Sequence, residues 1–177
     1  MTEAPGFAVR DASSADIADI ARIYGFHVLR GLASFEDVPP GEAEMRGRYA
    51  DVEARGLPWL VATAADGVMG YAYAAPYRLR TAYRHTLEDS IYIDPKVMRR
   101  GIGRALLTKL LARCTATGHR QMVAVIGDSA NVASITLHER LGFRRVGLLP
   151  ATGYKFGRWV DVVLMQRELG DGAATLP

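Results

Sequence analysis

The sequence has only one cysteine, Cys114, so no disulfide can form within the chain. It also lacks any stretch near the ~18 apolar residues of a membrane-spanning helix. Met1 to Gly6 has neither the basic start nor the apolar segment of a secretory leader. Without a disulfide framework or a targeting signal, the cytoplasm is the expected compartment. His27, His85 and His119 have no metal-ligand spacing, so no metal is expected. A net charge of +3 is small for a nucleic-acid protein. Tight basic clusters occur only at Arg78 with Arg80, at Arg99-Arg100 with Arg104, and at Arg144-Arg145. Each is too short to follow a phosphate backbone. The charge suits a small anionic ligand, and neither nucleic acid nor a membrane is expected as a partner. There is no internal repeat and no low-complexity segment.

What remains is a chain of 177 residues, 49% of them hydrophobic, which fits one domain with its own core. We expect that domain over residues 1–169, with Gly170 to Pro177 as a disordered tail. Phe7 to Arg10 alternates as a strand does. Ser13 with Asp16 resembles a capping box that opens a helix through Ile17, Ile20, Ala21, Tyr24 and Val28. Gly31 and Pro39-Pro40 interrupt it, and a more polar helix follows over Glu42 to Arg55. Trp59 to Thr63 and Val68 to Ala74 flank Ala65-Asp66-Gly67 as a hairpin.

Thr86 to Ile93 is the next strand, closed by Asp94-Pro95. A glycine-containing loop then enters a helix, Arg104 to Thr117, which stops at Gly118. Cys114 shares a face of that helix with Leu107, Leu110 and Leu111, and reads as a buried small apolar residue. Met122 to Ile126 is a continuous apolar run, as expected of a strand buried on both faces. A short helix, Ala133 to Arg140, precedes a closing antiparallel pair, Phe143 to Leu149 and Trp159 to Arg167, joined by a loop from Gly153 to Gly157. The order β, α, α, β, β, β, α, β, α, β, β predicts a mixed α/β fold with helices on both faces of one sheet.

The loop before the third helix carries the clearest chemistry. Arg99, Arg100, Gly101, Ile102, Gly103 and Arg104 lie where a strand delivers the chain into a helix. Glycines let an anion approach the backbone, the helix N-terminus adds partial positive charge, and the arginines add charged hydrogen bonds. The spacing is neither a Walker A loop nor a dinucleotide fingerprint, since Leu106 stands where the third glycine belongs. By itself the loop reads as a pyrophosphate site or as a glycine turn with solvated arginines.

Arg99 to Leu106 resembles the [RQ]-x-x-G-x-[GA] acetyl-CoA signature of the GNAT superfamily of N-acetyltransferases. Asn131 to Phe143 is similar to that family's N-x-x-A-x-x-x-Y-x-x-x-G-F element. Gly70 to Tyr73, Arg80, Ala82, Tyr83, Glu88 to Ile93, Val123 to Gly127, and Gly153 to Lys155 with Gly157, Trp159, Asp161 and Val162 narrow the resemblance. They point to the phosphinothricin and methionine sulfoximine acetyltransferases. The resemblance implies the GNAT acyl-CoA N-acyltransferase fold, whose central sheet is mostly antiparallel. It implies acetyl-CoA as acetyl donor, an amino-acid-like acceptor and a homodimer. Ile91, Tyr92 and Ile93 would hold the pantetheine arm, Arg99 to Arg104 the pyrophosphate, and Asn131 the pantetheine side.

Acetyl transfer needs a neutral amine and therefore a base. The resemblance places that base at Glu88. Strand alternation sets Glu88, Ser90 and Tyr92 on one face, opposite Leu87, Asp89, Ile91 and Ile93; Asp89 is expected to be a solvent-facing or structural carboxylate. His138 stands where the wider superfamily has tyrosine, as it does in the narrower group. It could protonate the departing thiolate or simply be a packed, hydrogen-bonded residue. Arg78, Arg80 and Tyr83 are expected to receive an acidic acceptor, since arginine's fork matches a carboxylate or phosphinate. Phe35, Lys155 and Trp159 would line the same pocket. A protein or peptide acetyltransferase and a non-catalytic acetyl-CoA sensor are the competing readings.

Overall fold

The structure, a computed structural model, describes residues 6–177. The reading of Met1 to Gly6 as lacking a leader therefore falls, for its first five residues, outside the described residues. The elements run β1 (Ala8–Asp11), α1 (Ile17–Arg30), α2 (Glu42–Ala54), β2 (Trp59–Ala64), β3 (Gly67–Pro76), β4 (Thr86–Ile93), α3 (Ile102–Ala116), β5 (Gln121–Gly127), α4 (Val132–Arg140), β6 (Arg144–Lys155) and β7 (Arg158–Glu168). This is the expected order of strands and helices. The strands form one sheet in the order β1-β2-β3-β4-β5-β7-β6, antiparallel throughout except for the β4–β5 pair. No described helix is long and apolar enough to cross a membrane.

α1 and α3 are fixed by their apolar stripes. Ile17, Ile20, Ile23 and Val28 of α1 are fully buried, each stabilising the fold by roughly 1.5–3 kcal/mol. The start of α1 is organised by Asp16, whose carboxylate accepts from the Ser13 backbone N–H (2.8 Å) and hydroxyl (3.0 Å). Its pairing with Arg10 at 2.7 and 2.8 Å holds β1 against that turn. Leu106, Leu107, Leu110 and Cys114 of α3 are fully buried on the other side of the sheet. Burial and the charge of Asp89 push the Cys114 thiol up to about 12, which leaves it protonated and unreactive.

The structure departs from the sequence reading at β6, at the turn that follows it and at Val125 of β5. β6 does not end at Leu149: it bulges between Leu149 and Gly153, then pairs again with β7 as far as Lys155. Asp161 holds that bulge by accepting from the Ala151 N–H at 2.9 Å. The expected loop from Gly153 to Gly157 shrinks to a two-residue turn, with Phe156 and Gly157 both at positive φ. β5 is buried on both faces for most of its length, yet Val125 is 38% exposed, because β4 has left its side by that point. Residues 170–177 form turns beside Arg120, which pairs with Asp171 at 3.5 Å and donates to the Leu176 carbonyl at 3.1 Å.

Candidate active site

β4 and β5 pair only from Thr86–Gln121 to Asp89–Ala124. Beyond that, β4 stays on β3 as far as Ile93 and Gly70, while β5 stays on β7 as far as Gly127 and Val162. The two strands part, and the sheet opens into a notch. Two adjoining hollows of about 420 and 450 Å³ fill it and share Ala33, Ile91, Tyr92, Gly127, Asn131 and Ser134. Glu88, Asp89, Ser90 and His138 line the first, together with Ser34, Phe35 and Glu36. The second extends past Ile93 and Met98 toward the start of α3. Asn131 caps α4 from the shared wall, accepting from the Ser134 N–H at 3.2 Å. His27 bonds the Ile93 carbonyl through Nε2 at 2.8 Å, fixing the free end of β4.

The loop before α3 has the geometry of an anion site. Gly101 is left-handed at φ 78°, and a side chain there would point into open space. The first intrahelical bond runs from the Ala105 N–H to the Gly101 carbonyl at 3.0 Å, so the Ile102, Gly103 and Arg104 N–H groups have no partner within the helix. Arg99, Arg100 and Arg104 are exposed around them. Gly103 has a different reason to be glycine: a Cβ there would lie 3.3 Å from the Leu137 side chain, so it sets how closely α4 approaches α3.

The segment between α1 and α2 closes the first hollow. Phe35 lies over Gly153, where a Cβ would come within 2.3 Å of its ring. Gly127 leaves equal room for the Leu32 carbonyl, 2.2 Å from a built Cβ. Lys155 is buried and donates through Nζ to the Ser34 carbonyl at 2.5 Å. The Tyr24 Oη donates to Glu36 at 2.7 Å and lies 2.9 Å from the Ser34 hydroxyl. Arg48 clamps Glu36 with two bonds of 2.7 and 3.0 Å. Its guanidinium holds the Glu36 carboxyl below the usual range, while burial pushes the Tyr24 phenol up to about 12.

Glu88 and Asp89 diverge as strand alternation requires. The Glu88 carboxylate makes no hydrogen bond among the described residues, and burial first, then the neighbouring Asp89 charge, raises its pKa; Arg78 opposes them. Asp89 is the structural carboxylate of the two: 6% exposed, with Oδ2 3.0 Å from the Nε2 of His138. The Nδ1 of His138 lies 2.7 Å from the Ser134 carbonyl. Burial opposes the charged imidazole, but the Asp89 contact outweighs it and raises the His138 pKa.

Arg78 and Arg80 line a separate 270 Å³ hollow with Arg55, Arg84 and His119. Tyr83 is exposed on the same segment and meets Tyr77 edge-on at 5.8 Å. Trp159 is 67% exposed and packs against Tyr154 outside the notch. Glu88, His138, Phe35, Asn131, Ile91 and Tyr92 thus come together at the notch, with Lys155 one residue behind it through Ser34. Arg78, Arg80, Tyr83 and Trp159 do not line it. The sequence reading missed Tyr24, Ser34, Glu36 and Ser134 as wall residues. Its only available signal was the polar run around Phe35 between Gly31 and Pro39.

Residues 24–143 match the model of the acetyltransferase (GNAT) family. The chain is 52% identical to the phosphinothricin N-acetyltransferase of Alcaligenes faecalis, over 96% of this chain and 86% of that one. It is 39% identical to the L-methionine sulfoximine/L-methionine sulfone acetyltransferase of Salmonella typhimurium, over 94% and 96%. A crystal structure of a phosphinothricin acetyltransferase from Sinorhizobium meliloti in complex with acetyl-CoA superimposes with a TM-score of 0.94 at 51% identity, covering 97% of this chain and 93% of that one. With the notch between β4 and β5 and the glycine loop before α3, these matches establish that the chain belongs to the GNAT family of acetyltransferases.

Proposed function

We propose that the chain is an acetyl-CoA-dependent N-acetyltransferase that acetylates the α-amine of a small amino-acid analogue such as methionine sulfoximine, methionine sulfone or phosphinothricin. One observation carries this reading: Glu88, a half-buried carboxylate without a hydrogen bond among the described residues, faces a hollow that adjoins a second one running toward the anion loop. Two joined chambers suit two substrates held together, and so direct transfer in a ternary complex.

The residues fit acetyl-CoA. The unpaired N–H groups at the start of α3, with Arg99, Arg100 and Arg104, suit its pyrophosphate. Ile91, Tyr92, Ile93 and Asn131 line the path of its arm. When bound, acetyl-CoA supplies an activated acetyl thioester. Glu88 takes the proton of the acceptor ammonium, directly or through a water, so that the nitrogen lone pair can bond the acetyl carbon as the carbon–sulfur bond breaks. His138 lines the same hollow and is the candidate acid for the departing thiolate. Arg80 and Tyr83, with Arg78, are proposed to receive the acidic group of the acceptor.

The same reading includes a homodimer. β6 is an edge strand, and Val146, Leu148, Leu149, Tyr154 and Trp159 on β6 and β7 are 43–67% exposed. A second copy packed on this row would bring further walls to the acceptor site. Leu148→Lys should then lower the mass seen by light scattering from dimer to monomer.

The test follows thiol release from acetyl-CoA with the sulfoximine, the sulfone, phosphinothricin, ordinary amino acids and a peptide. Release with peptide alone would overturn the small-molecule reading, and release with none would leave a binding protein. Glu88→Gln should fold and bind acetyl-CoA normally but lose roughly 10²–10⁴-fold in kcat; unchanged turnover would remove Glu88 as the base.

A further inference from the structure

The buried pair behind the notch has a constrained proton inventory. The Ser134 carbonyl has no proton to give, so the Nδ1 of His138 carries one and donates it at 2.7 Å. The Nε2, 3.0 Å from the Asp89 carboxylate, then shares a second proton with Oδ2. Both side chains are almost wholly buried, at 2% and 1% exposure. The other oxygen of Asp89, Oδ1, is buried with no partner among the described residues, although Asp89 lines the first hollow. Asp89 is also the last β4 residue paired with β5, so the pair sits where the two strands part and ties α4 to that point.

The surroundings bring little competing charge. β4 contributes Glu88, with Arg78 beyond it. α3 contributes the Cys114 thiol, with Arg113 beyond it, and the segment between α1 and α2 contributes Glu36, already paired with Arg48. β5 and β7 contribute Ala124 and Val162 to the hollow, and Phe143 meets the imidazole edge-on at 4.9 Å.

We propose that Asp89 is a positioning residue of the acetyl transfer, which holds His138 oriented and doubly protonated at the point where β4 and β5 separate. This rests on the acetyl-transfer reading above, with Glu88 as base and His138 as acid. Asp89 acts on both from the opposite face of β4. Its hydrogen bond keeps the imidazole charged, and its charge sets Glu88 against ionising too early. No proton leaves Asp89 in the reaction; the proton that reaches the thiolate leaves Nε2 and breaks its hydrogen bond to Oδ2, and the proton that Glu88 took from the ammonium returns through solvent to restore that nitrogen.

The sign of the effect follows. Activity needs Glu88 ionised and His138 protonated, which gives a rising acid limb and a falling basic limb in kcat. Asp89 raises the pKa of both groups. Asp89→Asn should therefore move both limbs toward acid, with kcat lowered roughly tenfold and the KM for acetyl-CoA unchanged; a base or acid lost outright costs 10²–10⁴-fold. A purely structural tie would lower the melting temperature or kcat and leave both limbs in place.

The deciding experiment pairs that pH profile with ¹⁵N-histidine NMR of the full chain at about pH 8, where an ordinary imidazole is neutral. In the wild type, both His138 nitrogens should be protonated. In Asp89→Asn, only Nδ1 should remain so. A neutral His138 in the wild type, or limbs that stay in place in Asp89→Asn, would overturn the proposal. Should Asp89→Asn fail to fold, the wild-type spectrum decides alone. The NMR measurement needs no acceptor, so an absence of thiol release counts against the functional reading, and a neutral His138 against this one.

Discussion

The segment joining α1 to α2 and the segment joining β3 to β4 both carry residues expected to meet the acceptor, and they are anchored in opposite ways. In the first, Phe35 rests on Gly153, Ser34 is held by Lys155 and Tyr24, and Glu36 is held by Arg48. Every tie reaches a different element. In the second, Arg78 bonds the neighbouring Tyr77 carbonyl at 2.9 Å, Arg84 bonds the Thr81 carbonyl at 3.3 Å, and Arg80 and Tyr83 stand exposed. Those ties stay within the segment. The lesson is a division of labour. The first segment gives the hollow a fixed shape, and the second leaves its arginines exposed beside a separate hollow.

The largest effect of substitution is expected in the anchored segment. Gly153→Val would drive a side chain into the Phe35 ring. It should cost about 2–3 kcal/mol of stability as overpacking and reduce turnover of the acceptor as the wall shifts. An unchanged denaturant midpoint would show that Phe35 is not held there. In the loose segment, Arg80→Ala should raise the KM for an acidic acceptor roughly tenfold, about the worth of one charge-assisted hydrogen bond. The melting temperature and the KM for acetyl-CoA should not move. A drop in melting temperature would mean that Arg80 is structural after all.

The smallest effect concerns pH. Arg48 lowers the folded pKa of Glu36 from its ordinary value of 4.5. The group therefore contributes stability that is present above that value and is lost as pH falls through the lowered one. Urea midpoints of the wild type and of Glu36→Gln should differ near neutrality and converge in acid. No convergence would detach Glu36 from Arg48. The partly exposed position keeps the difference small.

Much of this was legible in the chain. Helical spacing gave α1 and α3, β-branched residues gave β4, and a continuous apolar run gave β5, because burial of apolar side chains is a local requirement. The Gly101 loop was legible because a left-handed φ and an uncapped helix start leave a glycine and arginines in a short span. The turn at Phe156-Gly157 was not, since a phenylalanine at positive φ follows no turn preference. It is imposed by the pairing of β6 with β7 on both sides. Nor was the bulge at Leu149, which depends on Asp161 reaching back from the next strand. Asp89 was placed on the correct face by alternation alone, but its partner, His138, lies 49 residues away.

The order of elements, the glycine turn with its arginines before α3 and the opposite faces of Glu88 and Asp89 on β4 were legible in the chain, because each follows from residues close together along it. Where β4 and β5 part, how Asp89 meets His138 there, and how Lys155 and Gly153 hold the segment carrying Phe35 were set by the folded chain. These depend on residues distant in sequence, whose contacts exist only after the sheet has closed around its notch.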